Sequence, residues 1–308
     1  MTSGQTKNLI FKIVAGMAAA SVLAIVAAMA ATLYVQSRPA LTRFGFVNFL
    51  TSTSWNYGQE VFGAARPLFG TFASALLALI VAVPAALGIA VFLTEICPSK
   101  LRGVIAAALE LLAAIPSIIY GMWGLFILAP ALEKFVQPLV GETLGRLPLI
   151  GSFFQTKLAG GVNLFTASMI LAIMIVPFIS GIAREAMAQV PPMLKESSYA
   201  LGATRWETVR RVVVPYVKTA LAGGIVMAMG RALGETMAVA YVIGNRHAPL
   251  ESIFSPYVTI TSVMANEFNE AGGLQLSALF SLAFFLFAAN FLALTLAKRL
   301  LGGKKWTI

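Results

Sequence analysis

Apolar residues follow one another along this chain in long uninterrupted runs, without the alternation of a half-buried strand or the spaced stripe of an amphipathic helix. A helix of about 17–25 apolar residues spans the hydrocarbon core of a bilayer. We predict such spans at approximately residues 13–35, 68–92, 104–128, 164–182, 220–243 and 274–297. The pattern therefore predicts an all-α integral membrane protein with six transmembrane helices.

The composition agrees with a bilayer as the solvent of these runs. Hydrophobic residues make up 59% of the 308 positions and charged residues only 11%, which is too apolar for a soluble domain of this size. The single Cys97 excludes an internal disulfide. One histidine, His247, and no aspartate exclude a Ser-His-Asp triad or a histidine-based zinc site built from this chain alone. We therefore expect no catalytic residue, no metal site and no enzymatic activity in this chain.

Basic residues stand at the ends of the apolar runs and give the chain a net charge of +10. This placement is typical of membrane orientation, whereas a nucleic-acid-binding surface carries its charges in a patch or stripe. We expect membrane lipid as a partner and no nucleic acid. With the N-terminus in the cytosol, 14 lysines and arginines lie on the cytosolic side and 7 on the opposite side. This bias predicts that both termini are cytosolic.

An arginine and a glutamate interrupt the fifth apolar run. Arg231 lies 13 residues after Lys218, roughly 20 Å along a helix and well inside a hydrocarbon core about 30 Å thick. A charge at that depth must face protein, water or a partner charge. Glu235 follows at the i+4 position, on the same helical face. The residues alone leave two interpretations open: an ion pair that only orients helices, or an arginine that meets an anion in a translocation path.

The connection of residues 184–218 carries a second signal. We predict two short helices, at residues 196–199 and 206–213, with Gly202 permitting the bend between them. Leu201 and Trp206 belong to a modest apolar face, while the neighbouring arginines stay in solvent. This pattern fits an amphipathic loop resting on the membrane surface, and it also fits a docking site for a cytosolic partner.

The same loop resembles the EAA loop of type I ABC importer permeases. Glu196-Ser197-Ser198 is followed by three residues and Gly202, then by nine residues and Val212, which matches the spacing of that motif, with serines for both alanines. The resemblance implies the fold of a type I ABC importer permease core. It also implies that this loop couples to an ATPase subunit through Glu196, Ser197, Ser198, Gly202, Arg205 and Trp206.

Residues 110–126, 230–245 and 261–271 resemble the PstC-type permease of phosphate-specific ABC importers. The resemblance implies that phosphate passes Arg231 and Glu235 in the bacterial inner membrane. It also implies several partners: a sister PstA-type permease subunit, two ATPase subunits and a periplasmic phosphate-binding protein. ATP and Mg would be bound by the ATPase subunits, with no cofactor on this chain. The absence of a GxxxxGK[ST] phosphate loop agrees with that division of roles.

The third apolar run holds weaker candidates for a gate or for the anion path. Glu110 lies near the start of the run, where it either reaches the cytosolic interface or takes part in gating or in the pairing of helices. Pro116 fits a packing kink of the kind common in membrane helices, and with Ser117 and Tyr120 it also fits a broken helix whose N-terminal half faces the anion.

We expect an N-terminal span with a periplasmic loop at residues 1–66, a permease domain at 67–300 and a cytosolic tail at 301–308. Two other functions stay open. One is a permease for another oxyanion, such as sulfate or molybdate. The other is a stand-alone anion channel or secondary transporter, which would leave the EAA-like loop without a partner. A signalling role, which the resemblance allows, is not visible in the sequence.

Overall fold

Helices make up most of the chain, as the apolar runs predict. The computed structural model describes residues 3–148, 151–155 and 160–302. Its α-helices are α1 (Ser3–Phe44), α2 (Phe46–Thr51), α3 (Ala65–Val91), α4 (Ser99–Ala114), α5 (Ser117–Trp123), α6 (Ala129–Ala131), α7 (Gln137–Thr143), α8 (Leu164–Ala188), α9 (Pro192–Ala200), α10 (Arg205–Thr208), α11 (Val214–Leu233), α12 (Met237–Val242), α13 (Ile260–Glu267) and α14 (Gly273–Gly302). Strands β1 (Trp55–Asn56) and β2 (Val61–Phe62) form a small antiparallel hairpin that the apolar pattern does not predict.

Several of these helices continue into one another through five-residue π-helical turns. Such turns insert one extra residue into the helix without ending it. They are Phe92–Ile96 after α3, Gly124–Leu128 and Leu132–Val136 on either side of α6, and Val209–Val213 between α10 and α11. The α10–α11 segment is therefore one continuous helix.

Six helical stretches in the described part of the chain are long and apolar enough to cross a membrane. They are Ile10–Phe44, Ala65–Ile96, Ser117–Arg146, Leu164–Ala188, Arg205–Leu233 and Gly273–Leu296. The prediction of an all-α protein with six spans is confirmed, and the chain is a multi-pass membrane protein.

The bounds predicted for the third span, residues 104–128, are wrong. The helix breaks after α4 because Pro116 has no backbone N–H and forces Ile115 into an extended conformation, with φ −64° and ψ 129°. The stretch long enough to span begins only at Ser117 and continues to Arg146. Part of the predicted connection 129–163 is consequently helical.

The centre of the molecule is a close contact between α3 and α8. Alanines recur on α3 at every third or fourth position and are at most 2% exposed: Ala75, Ala78, Ala82, Ala86 and Ala90. Small residues let membrane helices approach closely, and this packing replaces the hydrophobic drive that lipid does not supply. Aliphatic side chains of α8, α11 and α12 complete the same buried cluster.

The first span lies at the periphery. Helix α1 packs along α14, and the most apolar window of α1 is 0% buried. Ser277 of α14 holds the contact, because its hydroxyl donates to the Gln36 carbonyl at 2.8 Å and accepts from the Ala40 N–H at 3.0 Å.

Part of the predicted tail and of the charge count falls on residues that the structure does not describe. Helix α14 runs to Gly302, and residues 303–308 lie outside the described residues. Lys157, Lys304 and Lys305, which enter the orientation count, lie outside as well.

Candidate anion path and coupling loop

The fifth predicted span, residues 220–243, is not one helix. Helix α11 ends at Leu233, and α12 begins at Met237. Gly234 weakens the helix at this point, since glycine costs about 1 kcal/mol relative to alanine in a helix interior. The Thr261 hydroxyl of α13 stabilises the break by donating to the Glu235 carbonyl at 2.7 Å. The prediction of a continuous helix here is therefore wrong.

The break separates Arg231 from Glu235. Arg231 lies in the last turn of α11 with an exposed side chain, while Glu235 is half-buried beyond the helix end. Among the described residues, no ion pair within 4.0 Å joins the two. The Glu235 carboxylate instead accepts from the Ala238 N–H at 3.3 Å, in the first turn of α12. The i, i+4 pairing suggested by the sequence is thus absent.

At the Pro116 break, a side-chain hydroxyl replaces the missing backbone donor. In a continuous helix the Leu112 carbonyl would accept from residue 116, but proline has no N–H. The buried Tyr120 hydroxyl donates to this carbonyl at 2.8 Å instead. Tyr120 also lies in the same buried cluster as the two residues that follow Arg231 at the end of α11.

The two interrupted helices meet through a glycine. Helix α5 packs against α12, and a Cβ on Gly121 would lie 3.0 Å from the Ala238 Cα and 2.9 Å from the Tyr241 ring. Only glycine permits this approach without a shift of backbone. The structure thereby brings Arg231, Glu235 and Tyr120 into one region, with Ser117 half-buried at the start of α5.

Glu110 does not belong to this region. Its carboxylate accepts from the Arg184 guanidinium of α8 at 3.0 Å, and the two side chains are 71% and 23% exposed. The sequence gives Arg184 only as one of the basic residues on the cytosolic side. Its pairing with Glu110 joins two helices that are far apart in sequence, so spacing alone could not reveal it.

The predicted bend at Gly202 is confirmed. Helices α9 and α10 lie on either side of it, and Gly202 has φ +85°, a conformation that favours glycine. Thr204 and Glu207 form a capping box at the start of α10. Leu201 and Trp206 are 89% and 66% exposed, and this places two large apolar side chains at the tip of the loop.

The other loop positions implied by the resemblance also lie at this surface. Glu196, Ser197 and Arg205 are exposed, while the hydroxyl of the half-buried Ser198 lies 2.9 Å from that of Thr208. The loop is anchored to the end of α3 by a 2.6 Å ion pair between Lys195 and Glu95. The sequence does not suggest this anchor, because the two residues are 100 positions apart.

Comparison with known proteins gives consistent relatives. The family model described as "Binding-protein-dependent transport system inner membrane component" matches residues 86–302. A phosphate transport system permease protein PstC of Mesorhizobium japonicum is 49% identical over 285 residues, covering 92% of this chain and 86% of that protein. The PstC protein of Haemophilus influenzae is 47% identical over 289 residues, covering 94% and 91%.

Solved structures agree at the level of the fold. An inward-facing methionine ABC transporter, MetNI, aligns with a TM-score of 0.53 and 18% identity, over 76% of this chain and 90% of that chain. A bacterial ABC importer of the acidic polysaccharide alginate aligns with a TM-score of 0.55 and 16% identity, over 77% and 78%. The predicted type I ABC importer permease fold is therefore confirmed. The chain belongs to the family of binding-protein-dependent transport system inner membrane components and, within it, to the PstC-type permeases.

Proposed function

We propose that this chain is the permease subunit that passes inorganic phosphate from periplasm to cytosol in an ATP-driven importer of the bacterial inner membrane, with both termini cytosolic. Relatives at 47–49% identity are named phosphate transport system permease proteins, which supports phosphate as the cargo. The observation in this chain that supports an anion path is Arg231. Among the described residues it has no ion-pair partner, and its side chain is exposed at a helix break.

Membership in the family makes the chain a transport component that works with an ATPase and other subunits. We assign it a sister PstA-type permease, two ATPase subunits and a periplasmic phosphate-binding protein as partners. ATP and Mg belong to the ATPase subunits in this proposal, and the chain itself carries no cofactor. The exposed tip around Leu201 and Trp206 supports the loop as the ATPase contact.

Arginine suits the role because its planar fork donates two parallel hydrogen bonds to phosphate oxygens, which the point charge of lysine does not. The last turn of α11, where Arg231 lies, carries the partial negative charge of a helix C-terminus. That charge favours a cation at this position in the absence of an anion. The guanidinium is therefore held in the path without a carboxylate that would compete fully for its donors.

Glu235 supplies selectivity and release in this account. Its carboxylate accepts a hydrogen bond from the protonated oxygen of HPO4²⁻, which sulfate does not possess. A site built to pair with a substrate O–H discriminates strongly against an analogue that lacks it. The negative charge of Glu235 also repels the dianion, which prevents Arg231 from binding phosphate too tightly to let it leave.

The loop formed by α9, Gly202 and α10, called here the coupling loop, shares one continuous helix with Arg231 in the anion path. The stretch Arg205–Leu233 is continuous, so Trp206 and Arg231 lie roughly 37 Å apart along a single helical segment. A displacement of the loop by the ATPase therefore moves Arg231 directly. Because α12 is separated by the break, Glu235 need not follow. ATP-driven motion of the loop thus changes the position of Arg231 relative to Glu235.

The test is uptake by proteoliposomes that contain this chain with its sister permease, ATPase subunits and binding protein. We expect phosphate uptake in preference to sulfate, and a loss of at least about tenfold in Arg231→Gln, since a hydrogen bond to a charged group contributes about 1.5–3 kcal/mol. Arg246→Gln is the matched control, because Arg246 is exposed outside the break. Sulfate uptake at or above the phosphate rate, or normal uptake by Arg231→Gln, would reject the proposal.

A further inference from the structure

Glu267, the last residue of α13, has a nearly buried carboxylate that is bonded from several elements. Its side chain is 12% exposed. The Trp55 Nε1–H donates to Oε2 at 3.0 Å and the Gln275 Nε2–H donates to the same oxygen at 3.4 Å. The His247 Nε2 lies 3.3 Å from Oε1. These four residues, called here the Glu267 junction, tie the hairpin, the segment after α12, α13 and the start of α14 together.

The electrostatics of the junction keep this carboxylate charged. Burial raises the pKa of Glu267, but hydrogen bonds from His247, Tyr57 and Trp55 outweigh burial and hold the pKa below its ordinary value. Burial and the neighbouring Glu267 carboxylate raise the pKa of Tyr57, so its hydroxyl stays protonated. The Trp55 ring also stacks on the His247 ring, with centroids 5.5 Å apart and planes within 6°.

The other end of α13 touches the anion path. Thr261, in the first turn of α13, makes the 2.7 Å hydrogen bond to the Glu235 carbonyl. The neighbouring Ile260 N–H donates to the Thr71 hydroxyl of α3 at 2.9 Å, and residues 260–263 are buried. Helix α13 is eight residues long, about 12 Å, so it is a short rigid link between Glu235 and the Glu267 junction.

We propose that Glu267 is a positioning residue for the transport step: through α13 and Thr261 it holds the Glu235 carbonyl, and with it the break in the anion path. The inference rests on the proposed function in giving Glu235 its role. Displacement of Trp55 or His247 is passed along α13 to Glu235. The hairpin surface and the break in the path are therefore mechanically connected.

Hydrogen exchange of the assembled complex in lipid nanodiscs tests this link without reference to the cargo. Glu267→Gln removes the negative charge and replaces one acceptor oxygen by an NH2 group, so the side chain can no longer accept from His247, Trp55 and Gln275 together. Thr261→Val removes the hydroxyl that binds Glu235. In each variant we expect peptides covering residues 235–242 to exchange about five- to tenfold faster, the factor expected for one net hydrogen bond.

Glu270→Gln is the matched control, because Glu270 lines a cavity of about 730 Å³ together with Glu267, is exposed and makes no side-chain hydrogen bond in the part of the chain that is described. Its exchange should equal that of the wild type. The double variant Glu267→Gln/Thr261→Val should exchange no faster than either single variant, since both act through one contact. Additive effects, or unchanged exchange in Glu267→Gln, would overturn the proposal.

If Glu267→Gln does not assemble, Trp55→Phe removes the indole N–H donor and keeps a smaller aromatic ring beside His247. Faster exchange of residues 235–242 in Trp55→Phe supports the link, and unchanged exchange overturns it. In proteoliposomes, Glu267→Gln should lower the maximal phosphate uptake rate about five- to tenfold at normal abundance. Absence of phosphate uptake by the wild-type complex would reject the proposed function, while the exchange result would still decide the positioning role.

Discussion

At the scale of single residues, side-chain hydroxyls donate to backbone carbonyls at the two places where a helix breaks. Tyr120 donates to the Leu112 carbonyl at the first break, and Thr261 donates to the Glu235 carbonyl at the second. A polar backbone group left unpaired in lipid costs several kcal/mol, so these hydroxyls permit irregular backbone at membrane depth. The breaks thus depend on particular residues that lie close in space and not in sequence.

Tyr120→Phe tests the first of these substitutes. The change removes only the hydroxyl, so the Leu112 carbonyl loses its shortest donor and the complex should lose about 1 kcal/mol of stability. We expect a lower midpoint of thermal unfolding for the detergent-solubilised complex. Tyr216→Phe, on the exposed side of α11, is the control and should leave the midpoint unchanged. An equal midpoint for Tyr120→Phe and the wild type would contradict this role.

Glu235→Gln tests the proposed source of selectivity. The glutamine carbonyl can still accept from the Ala238 N–H, so the start of α12 should be preserved. The side chain loses its charge and gains a donor that does not suit the protonated oxygen of phosphate. We expect the ratio of phosphate to sulfate uptake to fall at least about tenfold. An unchanged ratio, measured in parallel in the same proteoliposomes, would remove Glu235 from substrate discrimination.

At the scale of elements, the apolar pattern predicts where helices lie better than where they break. The six spans and the bend at Gly202 follow from run length and from glycine chemistry. The break after Leu233 does not, because Gly234 alone is tolerated in many membrane helices and Thr261 completes the break from another element. The identity of Arg184 as the partner of Glu110 cannot be predicted from the sequence either, because it depends on a tertiary contact between two helices.

Three substitutions at Gly202 distinguish its role in forming the bend from a role in contacting the ATPase. Alanine in the left-handed conformation costs roughly 1–2 kcal/mol, whereas asparagine tolerates it and is close in size to aspartate. A Cβ at this position meets nothing within 4 Å, so the chain itself has room for each side chain. We expect coupled ATP hydrolysis and uptake to be weaker for Gly202→Ala than for Gly202→Asn.

Gly202→Asp should uncouple hydrolysis from uptake more than Gly202→Asn, because only the added charge differs between them. The variants should all insert, since no span changes. The measurement is the number of phosphate ions imported per ATP hydrolysed. Normal coupling in Gly202→Asp would contradict the assignment of this loop to the ATPase contact.

At the scale of the whole molecule, two helices connect three regions: the loop around Gly202, the break between α11 and α12, and the Glu267 junction. The continuous helix Arg205–Leu233 joins the coupling loop to Arg231, and α13 joins the Glu267 junction to Glu235. Each helix has one end at the break between α11 and α12. Motions of the loop and of the Glu267 junction can therefore change the separation of Arg231 and Glu235, which is the kind of change that alternating access requires.

The pH dependence of amide exchange in α13 tests the connection between the Glu267 junction and Glu235. The pKa of Glu267 is held below its ordinary value of 4.5, so the stability it contributes is present above that value and is lost as the pH falls through the lower, folded-state pKa. The titratable groups that interact with the carboxylate are His247 and Tyr57. We expect the difference in α13 amide exchange between wild type and Glu267→Gln to shrink as the pH falls below about 4.5. A difference that persists unchanged at about pH 3 would contradict this.

Uptake by the charge-swapped protein Arg231→Glu/Glu235→Arg tests most directly whether Arg231 meets the anion. The swap preserves net charge and moves the positive side chain from the end of α11 to the far side of the break. Two charges that only help to orient the helices would tolerate it, whereas a positioned phosphate contact would not. We predict that phosphate uptake falls at least about tenfold at normal membrane abundance. Full uptake by the swapped protein would contradict the account and leave Arg231 without a role in the path.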